Sequence, residues 1–131
     1  MPWEIAFTGQ AERWFMSLNP EVQRRVTAAF DLLELRGPGL GRAAVDSIRG
    51  SRHHNLKELR SGSQRALFAF DPQRRAIVLY GGDKRRDWDR FYERSVPVAE
   101  RGYDEHLRSS GGGGMSWREL RAGARSAVSE R

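Results

Sequence analysis

The chain carries 23 basic residues, yet only two of them, Lys57 and Lys84, are lysines. They bracket a stretch that also holds Arg60, Arg65 and the pair His53–His54. A lysine ammonium is a compact point charge whose pKa moves with its surroundings, whereas arginine is a permanently charged fork. Where nearly every other basic position is arginine, two retained lysines read as sites at which an ammonium is wanted. Chance survival on a solvated face is the competing reading. Imidazole titrates near neutral pH and is a natural proton carrier. Lysine, arginine and histidine gathered with few matching carboxylates can hold a phosphate ester and move protons around it. From Arg49 to Arg65 five cations (Arg49, Arg52, Lys57, Arg60, Arg65) face one anion, Glu58, and Arg85-Arg86 follow Lys84 directly. Such local excess is the usual electrostatic footprint of a nucleic-acid partner. A docking surface for an acidic protein is the alternative.

Other chemistries find no support in the residue pattern. There is no His-x-x-x-His, no carboxylate cluster at ligand spacing and no cysteine, so no metal site and no cofactor is expected. Gly81-Gly82 lacks the surroundings of a phosphate loop, and no nucleophile elbow is present. The absence of cysteine removes disulfides and thiolate chemistry. No stretch approaches the roughly 20 apolar residues of a membrane span, and the start shows no basic segment followed by an apolar run. A cytoplasmic protein without membrane contact is therefore expected. Length (131 residues) and a net charge of +6 fit one basic domain plus a tail.

The elements that must position these groups follow from periodicity. Trp3, Ile5 and Phe7 alternate, which predicts a first strand. Thr8 caps a predicted helix from Gly9 to Leu18, and Asn19-Pro20 opens a second that runs to Arg36 and stops at Gly37-Pro38. Val45 and Ile48 begin a short strand. Strands are then predicted at Asn55–Arg60, Gln64–Asp71 and Ala76–Tyr80, the middle one apolar enough to be covered on both faces. Gly81-Gly82-Asp83 reads as a break. From Asp87 the spacing of Trp88, Phe91, Tyr92, Val96, Ala99, Tyr103 and Leu107 predicts a helix with a kink at Pro97. A domain spanning 1–108 is expected. Residues 109–131 read as a Gly-rich linker and a short amphipathic segment (Trp117, Leu120, Ala124, Val128) that either docks or is disordered. The order gives an α+β class.

Leu59-Arg60 closing one strand, Arg65–Asp71 as the next and Ile77–Lys84 as the third, behind a helical hairpin and before a helix, resemble the RelE/ParE superfamily of bacterial toxins, and within it the HigB-like, phage-derived group. The likeness covers about residues 1–108. It implies a RelE-like fold, with an N-terminal strand and helical hairpin packed on an antiparallel sheet and a C-terminal helix. It further implies a toxin of a type II toxin–antitoxin system, acting as a metal-independent, ribosome-associated mRNA endoribonuclease. The implied partners are a cognate helix-turn-helix antitoxin, mRNA and the ribosome, with operator DNA reached only through the antitoxin.

Such a reaction uses the RNA's own 2′-hydroxyl and needs a base, cations on the phosphorane and an acid for the leaving oxygen. Arg60, Arg65 and Lys84 match basic strand positions of the family pattern. The expected roles are phosphate stabilisation for Arg60 and Arg65, the same or proton donation for Lys84, and proton abstraction by His54, with Lys57 as the alternative base. Arg49, Arg52, His53, Arg85 and Arg86 are the expected RNA-binding residues. Trp88, Phe91 and Tyr92 either stack on a base or pack under the sheet. Asp87 and Asp89 depart from the family pattern and would repel RNA. Two rivals remain: a toxin of the same fold with a protein target such as gyrase, and a non-catalytic nucleic-acid-binding or regulatory module.

Overall fold

The computed structural model describes residues 2–109 and 114–129, without the side chains of Asp87 and of residues 125–129. Residues 110–113 of the expected linker lie outside the described residues, as does the side chain of Val128 in the amphipathic stripe. The elements are β1 (Glu4–Phe7), α1 (Gly9–Ser17), α2 (Pro20–Arg36), β2 (Val45–Ser47), β3 (Leu56–Ser61), β4 (Gln64–Phe70), β5 (Arg75–Asp83), α3 (Phe91–Arg108), β6 (Met115–Ser116) and α4 (Trp117–Ser129), with short 3-10 turns at Gly37–Gly39 and Lys84–Asp87.

The helical hairpin forms where its caps dictate. Thr8 Oγ1 accepts from Ala11 N at 3.3 Å, and Asn19 Oδ1 accepts from Val22 N at 2.9 Å with Pro20 beside it in the first turn. Each cap satisfies an amide that the first turn leaves unpaired. Gly37 ends α2 at φ 52°, in a region open to glycine at little cost. Trp3 lies so close that a Cβ on Gly37 would sit 2.3 Å from its indole nitrogen.

The six strands form one sheet in the order β2-β3-β4-β5-β1-β6. The expected α+β class, with a helical hairpin packed on the sheet and a helix after it, is what the chain adopts. The meander β2–β5 is antiparallel as anticipated, but β1 pairs in parallel with β5, so the sheet is mixed. Parity divides the side chains. Phe7, Leu59, Ala66, Phe68 and Val78 face α1 and α2, joining Phe15, Phe30 and Leu33. Leu56, Leu67, Ala69, Ile77 and Leu79 face α3, joining Ala99 and Tyr103. β4 is thus apolar on both faces, as a covered central strand should be.

Two local expectations differ. β5 does not break at Gly81-Gly82 but continues to Asp83. The glycines serve close packing: a Cβ on Gly81 would lie 1.9 Å from the Trp14 ring, and one on Gly82 3.0 Å from Phe91. Glycine inside a strand often marks such an approach. The last long helix starts at Phe91 rather than Asp87, because Lys84–Asp87 form a 3-10 turn first, and it runs without interruption past Pro97.

Beyond the glycines, of the two fates open to the tail, residues 114–124 take docking. Met115–Ser116 pair antiparallel with Ala6–Phe7 at the sheet edge. Gly114 at φ 87° lets the chain pass the Phe7 carbonyl, which a Cβ would meet at 2.6 Å. Of the capping box the sequence suggested, the serine half forms: Ser116 Oγ accepts from Glu119 N at 3.2 Å, while the Glu119 carboxylate accepts from that hydroxyl at 2.9 Å. Trp117 is 1% exposed. It stacks on Phe7 and meets Phe15 and Phe30, and its indole donates to Asp31 at 3.1 Å.

Candidate functional site

The α3-facing side of the sheet end gathers several of the candidate side chains. Arg60 and Arg65 are direct cross-strand partners of β3 and β4, and their side chains share the parity of Glu58 and Leu67. Like charges facing each other across a strand pair repel, and carboxylates relieve only one of them. Arg60 Nε and Nη2 bond to Glu58 Oε1 at 2.9 Å, and Nη2 also reaches Asp46 at 3.2 Å. The Glu58 hydrogen bond, opposed in part by burial, holds the Arg60 guanidinium above its usual range. Arg65 donates instead to two backbone carbonyls, Gly62 at 2.7 Å and Gln64 at 3.0 Å, while its Nε is buried without a partner.

Tyr92, on the first turn of α3, ties these groups together. Its hydroxyl donates to Glu58 Oε2 at 2.6 Å. Burial first, then the hydrogen bond to and the negative charge of Glu58, push the phenol up to about 12; the neighbouring Arg65 works in the opposite direction. Lys84, at the start of the 3-10 turn, places Nζ 4.9 Å from the Tyr92 ring centroid and 4.7 Å from that of Trp88. Trp88 is 59% exposed. Among the described residues neither Arg65 nor Lys84 has a carboxylate partner. Cations held over aromatic faces and carbonyl oxygens keep their charge available to an incoming anion.

The remaining sequence candidates divide by strand parity and by helix length. Lys57 shares the parity of Leu59, so it lies on the opposite face from Arg60 and Arg65, in a shallow groove with Gly37, Pro38 and Phe70, where Nζ reaches Ser47 at 3.4 Å. Arg52 pairs with Glu100 and Asp104 of α3, and His53 Nε2 sits 2.7 Å from Asp104 with its ring edge on Tyr103. Asp104 is 12 residues beyond Tyr92, about 18 Å along a helix axis. The loop bearing His53 and the exposed His54 is therefore anchored at the far end of α3. Arg49 is also exposed. Arg85 is bound to Asp83, and that hydrogen bond, opposed in part by burial, lowers the carboxyl to about 2. Arg86 is exposed. His106 is buried against Asp71 at 3.0 Å, a structural position.

The fold thus brings together Arg60, Arg65 and Lys84 and sets Lys57, Arg49, Arg52, His53 and His54 apart. It adds Glu58, which the sequence offered as an anion among the cations, and Tyr92, which it offered as an aromatic that stacks on a base or packs under the sheet, in a hydrogen-bonded pair. A glutamate in phase with buried Leu56 on a half-buried strand was the available signal for Glu58. Tyr92 carried none beyond its helical spacing. Among the described residues no cluster of histidine and carboxylate groups could hold a metal ion, and no helix is long and apolar enough to cross a membrane.

Residues 13–104 match the family of phage-derived Gp49-like proteins (DUF891). The chain is 50% identical over 107 residues to a Mycobacterium tuberculosis candidate toxin, HigB3, covering 80% of this chain and 94% of that protein. It is 44% identical over 111 residues to a second candidate toxin of that organism, HigB2, covering 79% of this chain and 55% of HigB2. In structure it resembles archaeal RelE in the RelE–RelB complex of Pyrococcus horikoshii (TM-score 0.54, 20% identity, 66% of this chain and 99% of that one). It also resembles a free RelE mutant of Escherichia coli (TM-score 0.51, 17% identity, 73% of this chain and 100% of that one). A RelBE2 toxin–antitoxin complex from M. tuberculosis aligns with a TM-score of 0.51 at 24% identity, over 63% of this chain and 99% of that one.

Proposed function

Because this chain belongs to the phage-derived Gp49-like family and is a HigB-type toxin of a toxin–antitoxin system, we propose that it is a metal-independent endoribonuclease that cuts mRNA, on the ribosome and in the cytoplasm, and is silenced by its own antitoxin. The observation that carries the reading is a pair of cations, Arg65 and Lys84, that have no carboxylate partner among the described residues and lie beside the Tyr92–Glu58 hydrogen bond.

The chemistry follows from those contacts. A scissile phosphate between Arg65 and Lys84 has its growing negative charge met by two positive groups held in place before reaction. The RNA 2′-oxygen attacks phosphorus and forms the O2′–P bond. Its proton passes to the Tyr92 oxygen as Tyr92 gives its own proton to Glu58. The phenol therefore never develops a full negative charge, which suits a group whose pKa lies near 12. The P–O5′ bond breaks and Lys84 protonates the leaving 5′-oxygen. The products are a 2′,3′-cyclic phosphate and a 5′-hydroxyl end, and water returns the proton from Glu58 to Lys84. Arg60 acts through Glu58, holding the carboxylate toward Tyr92. His54 and Lys57, the bases expected from sequence, have no part in this scheme.

The test is to express the protein without antitoxin and to map 5′-hydroxyl RNA ends, with purified protein, ribosomes and a defined message run in parallel. Ends that appear with wild type and vanish with Tyr92→Phe support the reading. Growth arrest without RNA fragments, accompanied by trapped gyrase–DNA complexes, would overturn it in favour of a protein target.

A further inference from the structure

β1 stops pairing with β5 at Val78. Past that point a cleft of about 600 Å³ opens between α1, the end of β5, the Lys84–Asp87 turn and the start of α3. This lies within the usual size of small-ligand pockets, ~300–1,000 Å³. Its floor is Gly81 and Gly82, and its walls include Trp14, Tyr80 and Phe91. Arg13, Arg86 and Arg94 stand exposed along it. Among the described lining residues the single carboxylate is Asp83, already bonded to Arg85. Neither Arg13 nor Arg86 has an acidic partner among the described residues.

The cleft adjoins the proposed phosphate site. Gly82 on its floor is the cross-strand partner of Arg65, and Phe91 in its wall has its ring centroid 5.2 Å from that of Tyr92. The 3-10 turn separates the two sets of cations. With about three residues per turn, consecutive side chains point some 120° apart, so Lys84 turns to Tyr92 while Arg85 and Arg86 turn to the cleft. Cations for phosphates beside aromatic side chains for bases, with Gln10, Ser17 and Asn19 for sugar and base edges, are what a single strand requires.

We propose that this cleft is a second RNA subsite, holding the nucleotides next to the scissile phosphate on one side, with Arg13 and Arg86 on their phosphates. It takes the position of the cut from the function proposed above but does not need the cut to occur.

The experiment measures binding of 2′-O-methyl RNA, which has no free 2′-hydroxyl nucleophile, by fluorescence anisotropy, comparing a dinucleotide with a hexanucleotide at several salt concentrations. For wild type the longer strand binds at least ~10-fold tighter, and its log–log salt slope is steeper by ~0.7 per added phosphate contact. In Arg13→Ala/Arg86→Ala both gains disappear, while dinucleotide affinity is unchanged. Arg13→Lys/Arg86→Lys retains most of the gain. The proposal is overturned if the alanine pair leaves hexanucleotide affinity intact, if it weakens both strands equally, or if it abolishes antitoxin binding while RNA binding survives. A wild-type protein that never cuts but shows the length-dependent gain sinks the nuclease reading and leaves the subsite standing. Cutting without any such gain does the reverse.

Discussion

The Tyr92 hydroxyl and the Glu58 carboxylate meet at 2.6 Å across the joint between α3 and β3. Glu58 is 3% exposed and is approached from its other side by Arg60. Burying a carboxylate is costly unless it is paired and hydrogen-bonded. Here both oxygens are engaged, one by a guanidinium and one by a phenol. The arrangement holds the phenol oxygen beside Arg65 and couples the first turn of α3 to the end of the meander.

Tyr92→Phe keeps the ring and its contact with Phe91 and removes only the hydroxyl. Cleavage is expected to fall by ~10²–10⁴, the usual worth of positioned acid–base groups, with the RNA dissociation constant little changed. Glu58→Gln is expected to fall by a similar factor. Single-turnover cutting rates beside anisotropy titrations measure both. Loss of binding with cutting preserved per bound complex would show that the pair only shapes the fold.

The phenol also gives an alkaline signature. Folded Tyr92 keeps its proton to about 12, against 10.0 for an ordinary tyrosine. Between these values the native state binds more protons than the unfolded chain, so stability falls with rising pH. This contribution is complete below pH 10 and is lost as pH climbs toward 12. Urea unfolding across that range, with Tyr92→Phe beside wild type, checks it; the variant's curve should lack this part of the decline.

Trp117→Ala should destabilise the whole domain. The indole is enclosed by Phe7, Phe15 and Phe30, and large-to-small changes at such aromatic sites cost ~3–5 kcal/mol. Thermal melting should shift down by roughly 10 °C or more. Melting of a variant ending at residue 108 gives a second reading. A shift near zero in both would mean that β6 and α4 add little to the core.

Asp71 anchors the acid side of the stability curve. Its carboxylate accepts from the Gln73 and Arg75 amides, from the Arg75 guanidinium and from His106. Burial works to raise its pKa, but the bonds from His106 and Arg75 outweigh it and hold it below the ordinary 3.8. A lowered carboxylate pKa adds stability above that value, which is lost as pH falls. Asp71→Asn should cost ~1.5–3 kcal/mol near neutrality, because it removes the charged acceptor of several hydrogen bonds in a buried position. It should also flatten the acid limb of the curve in urea titrations followed from pH 7 downward.

Local chemistry made much of this protein legible in its sequence. Thr8, Asn19-Pro20 and Gly37 set the ends of the hairpin because caps and φ preferences act within a turn or two of chain. Alternation and apolar runs placed the meander, and Arg60, Arg65 and Lys84 were legible as basic positions at one end of it. Side-chain parity and long-range pairing were decided only in three dimensions. A strand alternates faces at every residue, so Lys57 points away from Arg60 although three positions separate them. The far end of α3 claims Arg52 and His53 through carboxylates some 50 residues away. Gly81-Gly82 reads as a break until Trp14 and Phe91 arrive to need the space. Tyr92 meets Glu58 only where a helix start lands on a buried glutamate, and no local pattern records that contact.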